Sequence, residues 1–235
     1  MKCTILGSGH VGLAIAKALI AAGIPAKDIA IVDRNTPFDS SPNMQTSSAA
    51  IGIIEPSGLE PADLMYQCYV TTRRRLQERI EEGAKHIRNL PVTYLTNEDG
   101  FLDGPNGRAP DETHEFLDGA SLQGFRFGER FSGILINTTI ENWIDRRELI
   151  DAGVRFIVEE ITCEPHEVRI DGKLSDLVFD CRGLGLRDTE VGSKLFPVAG
   201  QTFLLHAPEE LGFDGVIGNP GTEMSYNVVP WMRVT

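Results

Sequence analysis

Short apolar runs and longer apolar periodicities alternate along this chain and set out most of its elements. Residues 3–6 form a strand-length apolar run, and Val11, Ile15 and Leu19 follow at helical spacing until Gly23 and Pro25 break the pattern. A second apolar run, Ile29-Ala30-Ile31-Val32, ends on Asp33, so the first ~35 residues read as β-α-β. Residues 35–48 are polar and turn-rich and predict a loop. Residues 61–88 predict a helix with Leu64, Met65, Cys68, Tyr69, Leu76 and Ile80 on one face. Residues 97–124 carry Asn, Asp, Gly and Pro at high density and predict a long surface excursion. Regular structure returns at Phe131–Ile136, followed by a helix over Thr139–Ala152 that ends at Gly153 as its C-cap. Val154–Val158, Val168–Ile170 with a turn at Asp171-Gly172, and Leu177–Asp180 read as strands, as do Phe203–Leu205 and Val228-Val229. Parallel-type strands at the N-terminal end and in the middle predict one nucleotide-binding sheet assembled from distant segments, with the rest inserted as a second layer.

Charge and composition narrow the partners. The 235 residues carry a net charge of −12 and are 41% hydrophobic and 24% charged, ordinary for a globular protein. Nucleic acid and anionic membrane both reward clustered Lys and Arg. The one basic run, Arg73-Arg74-Arg75, is followed by Glu78, Glu81 and Glu82 and reads as a solvated helix face. No apolar stretch approaches a membrane span, and glycines and His10 interrupt the N-terminal apolar stretch, so it reads as a buried strand and helix, not a signal peptide. Cys3, Cys68, Cys163 and Cys181 form no C-x-x-C pair. Free thiols and a cytoplasmic location are the expectation.

The chemistry begins in the first β-α turn. Gly7, Gly9 and Gly12 are spaced G-x-G-x-x-G, and Asp33 follows Gly12 by 21 residues. Gly7 permits the tight turn, Gly9 lets backbone amides approach a pyrophosphate, and Gly12 lets helix and strand pack closely. The helix N-terminus, at His10 and Val11, offers unpaired N–H groups and a partial positive charge to phosphates. Asp33 is placed to accept hydrogen bonds from an adenosine ribose. His10, inside the loop, packs or caps. Together these features predict a bound adenine dinucleotide.

Three later segments matter by their order. In Thr46–Pro56, the hydroxyls of Ser47 and Ser48 precede the small residues Ala49, Ala50 and Gly52. That pattern suits a helix N-cap in a tight loop as well as a backbone lying against a flat ligand. Asp180–Gly185 runs from a strand into a turn containing Gly183 and Gly185, and Phe196–Thr202 turns back into a strand at Gly200-Gln201. With the N-terminal motif, these segments resemble the D-amino-acid oxidase family of FAD enzymes, and its glycine-oxidase-like members in particular. The resemblance runs in order along the whole chain.

The resemblance implies a fold class: an α/β, Rossmann-like FAD-binding domain (1–56 and 133–198) carrying an inserted, mostly antiparallel β substrate domain. Residues 57–132 would be a helical and loop region, and 199–235 the start of the substrate-domain strands. It implies FAD as cofactor, with Asp33 on the ribose and Arg34 near the adenine. Ser47, Ser48, Ala49, Ala50 and Gly52 would run along the pyrophosphate and flavin, with Gly183 and Gly185 at the crossing into the substrate domain. The implied reaction is oxidation of glycine or a small D-amino acid: hydride passes from the α-carbon to the flavin, the imine hydrolyses, and oxygen reoxidises the flavin to yield hydrogen peroxide. Tyr226 is the match to the family's substrate-facing tyrosine, one position off, and packing at a strand edge fits it equally.

The chain also departs from the family. Trp231 stands where a basic residue is usual, Ala199 replaces an Arg before Gly200, and Arg182 and Arg187 read as structural ion pairs. Family members continue for about a hundred residues more, a domain-scale extension that carries a carboxylate-clamping Arg. The expectation is therefore a C-terminally incomplete fold, with no amine oxidation by this chain alone, and a homo-oligomer or a second chain completing the sheet. Two further readings are an NAD-dependent dehydrogenase, which the N-terminal motif alone supports, and a truncated, non-catalytic dinucleotide-binding protein.

Overall fold

The computed structural model describes residues 1–35, 52–54, 64–97, 115–117, 124–160, 164–183, 216–219 and 226–228. The chain divides into two compact units: Met1–Ala50 with Thr138–Leu205, and Ile51–Asn137 with His206–Thr235.

The first unit is built on a four-stranded parallel sheet. Its strands are β1 (Cys3–Leu6), β2 (Ile29–Asp33), β7 (Arg155–Val158) and β10 (Leu177–Asp180), in the order β10-β1-β2-β7. The expected assembly of one sheet from distant segments is what the structure shows. Alternation sends Cys3, Ile5, Ile29 and Ile31 to one face, where they pack with Leu13 and Ala16 of α1 (His10–Ala21) and with Leu149 of the helix Thr138–Asp151. Leu6 and Val32 face the other way, against Val168 and Ile170. Ile5, Leu13, Ile29 and Ile31 are fully buried, each contributing about 1.5–3 kcal/mol. The lower face is covered by a hairpin of β8 (Arg169–Ile170) and β9 (Lys173–Leu174). Its two-residue Asp171-Gly172 loop has both φ positive, 53° and 75°, as a type I′ turn requires. Arg155 holds that turn from β7 through two bonds to Asp171, 2.8 and 3.3 Å.

The second unit is a mostly antiparallel sheet, β12-β11-β4-β6-β3, with β5 also paired to β6. These strands are β3 (Gly52–Ile54), β4 (Ile87–Thr96), β5 (Glu115–Leu117), β6 (Phe127–Ile136), β11 (Val216–Asn219) and β12 (Tyr226–Val228). Only β11 and β4 run parallel among these pairs. α2 (Leu64–Glu81) packs on one face through Leu76, with Ile87 and Ile134, and Asn89 donates to Gln77 at 2.9 Å. The boundary drawn in the sequence at residue 133 falls inside β6, which belongs whole to this unit.

Several elements differ from expectation. The helix over 61–88 stops at Glu81, where Gly83 takes φ +94° and its amide, with that of Ala84, closes the last turn. The chain then re-extends into β4, which pairs with β6 over ten residues. The buried positions of α2 are Tyr66, Tyr69 and Leu76, whereas Leu64, Met65 and Cys68 are exposed. The excursion over 97–124 contains a strand, β5. Arg73 is more than a solvated cation, since its guanidinium donates to Tyr69 Oη at 3.1 Å and to the Ser132 carbonyl at 3.2 Å. Phe203–Leu205 lies outside the described residues. The remaining helix, α3 (Thr138–Asp151), ends as expected at Gly153, φ +98°. No helix among the described residues is long and apolar enough to cross a membrane.

Candidate functional site

The site forms where β1, β2 and β10 end together at the carboxyl edge of the parallel sheet, the edge at which open α/β sheets bind ligands. Leu6 gives way to Gly7, whose φ of +99° is open only to glycine at low cost. The Gly7 amide donates to the Val32 carbonyl at 2.8 Å, and the Cys181 amide donates to the Leu6 carbonyl at 2.8 Å. A Cβ on Gly7 would sit 2.5 Å from the Cys181 carbonyl oxygen, and one on Gly12 would sit 2.0 Å from the Gly7 carbonyl oxygen. Both glycines are therefore fixed by close backbone approach.

Ser8 is buried between them. Its amide and its hydroxyl both donate to Asp33 Oδ2, at 2.7 and 2.9 Å, and Oδ1 accepts the Asn35 amide at 2.9 Å. Asp33 therefore locks the loop to the end of β2, a structural role beyond the ribose contact expected of it. α1 starts at His10 with Gly9 as N-cap. No side chain caps it and no acid stands in its first turn. The first return bond is from the Leu13 amide to the Gly9 carbonyl, 3.0 Å. Its leading amides thus project past the sheet edge beside an exposed Val11. This edge suits a diphosphate: backbone donors, a helix dipole and no competing carboxylate within the turn.

Behind the loop lies α3, whose contribution the hydrophobic pattern did not reveal. Arg146 is 8% exposed, and its Nη2 donates to the Ser8 carbonyl at 2.9 Å. Burial draws its pKa down, against the pull of Asp33 and Asp145. Lys17 of α1 meets Asp145 in a direct ion pair and Glu148 at 2.8 Å, stapling the two helices. Burial draws Lys17 down, but these hydrogen bonds more than offset it and raise its pKa. Burial raises the Asp145 carboxyl while Lys17 opposes that rise.

His10 opens α1 and is half-buried. Burial holds its imidazole below the ordinary 6.5; Asp145 and Glu141 pull it up and Arg146 pushes it down. The unfolded chain then takes up the proton first as pH falls, so this contribution to stability is full above 6.5 and declines as the pH drops toward the folded value. The thermal midpoint is expected to fall on acidification through about pH 6, with a shallower slope in His10→Gln. Equal slopes in the two proteins would show that the imidazole is not the source.

The structure thus brings Gly7, Gly9, His10, Val11, Gly12, Asp33, Arg34 and Gly183 to one sheet edge, with Arg34 exposed. Arg182 beside Gly183 closes an ion pair with Asp180 at 2.5 Å, the structural role expected for it. Ser47, Ser48, Ala49, Ala50 and Gly185 lie outside the described residues, and Gly52 opens β3 in the second unit. Tyr226 opens β12 opposite Asn219, and Asn227 is opposite Gly218. Gly218 pairs in turn with Tyr94, which is opposite Glu129. Asn227, not Tyr226, therefore shares the register line of Tyr94 and Glu129.

Solved structures share this fold. Iminodiacetate oxidase (IdaA) from Chelativorans sp. BNC1 superposes with a TM-score of 0.54 at 18% identity, over 79% of this chain and 56% of that one. A thermally stable mutant of fructosyl peptide oxidase gives 0.53 at 16% identity, over 79% and 50%. L-amino acid deaminase from Proteus vulgaris gives 0.49 at 13%, over 66% and 39%. The chain spans from about two fifths to just over half the length of these proteins. No curated protein matches the sequence. Residues 2–233 match the family described as DAO, FAD dependent oxidoreductase, and with nearly the whole chain inside that match it belongs to this FAD-dependent family.

Proposed function

We propose that this chain holds FAD at the carboxyl edge of its parallel sheet and serves the oxidation of glycine or a small D-amino acid. The observation that carries the reading is the open N-terminus of α1, framed by Gly7, Gly12 and Asp33. The amides of Gly9, His10, Val11 and Gly12 would take the pyrophosphate. Asp33 would take the ribose and Arg34 would lie near the adenine. Ser47, Ser48, Ala49, Ala50 and Gly52 would follow the pyrophosphate and flavin, with Gly183 and Gly185 closing the crossing between segments.

When bound, FAD would supply the two-electron redox chemistry of the oxidation. The residues of this chain bind, orient and exclude water. None has to act as a dedicated acid or base. Tyr226 is assigned to the substrate side as the family resemblance places it. The substrate preference rests on the resemblance of residues 32–37, 48–52 and 180–185 to glycine-oxidase-like members. The free Cys3, Cys68 and Cys181 suit a reduced cytoplasmic location.

The purified chain is expected to carry FAD, read from its visible spectrum and from chromatography of the released chromophore, and to release no peroxide with glycine or D-alanine on its own. NAD binding without flavin would replace this reading with the dehydrogenase one. Peroxide release with either amino acid would support the substrate assignment and overturn the expectation of no turnover by this chain alone.

A further inference from the structure

Ser8 has every polar group engaged by a distant residue. Asp33 takes its amide and hydroxyl, and Arg146, 138 positions away, takes its carbonyl. In a trans peptide the Ser8 carbonyl and the Gly9 N–H point in opposite directions. With the carbonyl turned toward α3, the Gly9 N–H faces away from that helix. Gly9 is the N-cap of α1, so this N–H stands next to the leading amides of that helix, which no side chain caps.

Arg146 is held to this task by its surroundings. It is buried on the same side of α3 as Asn142, Asp145 and Leu149. The adjacent Arg147 is exposed and pairs with Asp151 within its own helix. The Lys17 bridges to Asp145 and Glu148 fix the distance between α3 and α1. The guanidinium also brings a cation into the field of Asp33, directly behind a loop meant for an anion.

We infer that Arg146 is a positioning residue of the dinucleotide site: it orients the Ser8–Gly9 peptide so that the Gly9 amide is presented to a diphosphate, and it balances the Asp33 charge behind the loop. The assignment deepens the FAD reading above and rests on it for the identity of the ligand. The ligand chemistry it addresses is the diphosphate itself, common to FAD and ADP and missing from adenosine.

The test compares wild type, Arg146→Met and Arg146→Lys for binding of FAD, ADP and adenosine, with the Gly9 and Ser8 amide resonances recorded in the ligand-free proteins. R146M is expected to bind FAD and ADP about tenfold or more weakly with adenosine affinity unchanged, and to move the Gly9 resonance. R146K keeps the charge and one donor and should recover part of the loss. An equal loss for adenosine would reduce Arg146 to general packing and overturn the inference. So would unchanged ADP affinity with an unmoved Gly9 resonance. Should R146M not fold, R146K decides on the same comparison, with an ADP-specific loss of about threefold expected and none overturning. A wild-type chain that binds ADP but not FAD sinks the flavin reading alone; one that binds neither sinks it too, and the Gly9 resonance then decides for Arg146.

Discussion

Gly12→Ala is expected to remove FAD binding and to destabilise the first unit by about 3 kcal/mol. By helix propensity alone the change would help, since alanine exceeds glycine by about 1 kcal/mol in a helix interior. The close approach reverses the sign. The new methyl would lie 2.0 Å from the Gly7 carbonyl oxygen and 3.3 Å from Ile5 Cγ2. Neither neighbour can yield: Ile5 is fully buried in the sheet core, and Gly7 is pinned by its bond to Val32 and by the Cys181 carbonyl beside it. α1 must move outward or the turn must open, and either disperses the leading amides. Gly153→Ala is the matched control, for nothing lies within 4 Å of its Cβ position, so its cost is limited to the strain of φ +98°, about 1 kcal/mol. Thermal midpoints and FAD retention of the two variants make the comparison. A G12A protein that melts with wild type and keeps its flavin would show that the helix does not need this contact.

The first unit was legible in the sequence because its constraints are local. Each glycine of the turn, each strand of the β-α-β unit and the terminal acid lie within 33 residues, and each answers to one steric or electrostatic need. The capping glycine Gly153 announced the end of α3 for the same reason. The second unit hid its order in long-range pairing. The helical reading carried to residue 88 gave no sign of β4, which takes its extended form from ten partners on β6. Arg146 was hidden differently. Asn142, Asp145, Arg146 and Leu149 recur at i, i+3, i+4 and i+7, the spacing of a buried helix face. Three of the four are polar, so a search for apolar periodicity passes over them. Only the carbonyl at Ser8, brought alongside by packing of α1 on α3, gives that face its meaning.

Asp33→Ala is expected to weaken FAD binding by about a hundredfold, near 2.7 kcal/mol, and more than Gly185→Ala does. A ribose contact alone, as a single charged hydrogen bond, would be worth about 1.5–3 kcal/mol. The structure adds a second route. Asp33 accepts the Ser8 amide, the Ser8 hydroxyl and the Asn35 amide, two of them on one oxygen. Alanine takes the Asp33 carboxylate away from the Ser8 amide and hydroxyl and loosens the turn from β2. The substitution Asp33→Asn separates the two routes. Its side chain keeps the shape of the original, but the amide group can accept on one atom only, so either the Ser8 pair or the Asn35 bond is lost. If the loop role dominates, D33N should orient its oxygen toward Ser8, hold the loop and bind ADP closer to wild type than D33A does. If the ribose role dominates, D33N and D33A should lose adenosine affinity alike while the Ser8 amide resonance stays in place in D33N. Retention of FAD by D33A within about threefold of wild type would sink both roles together and move the adenosine end of the site away from the tip of β2.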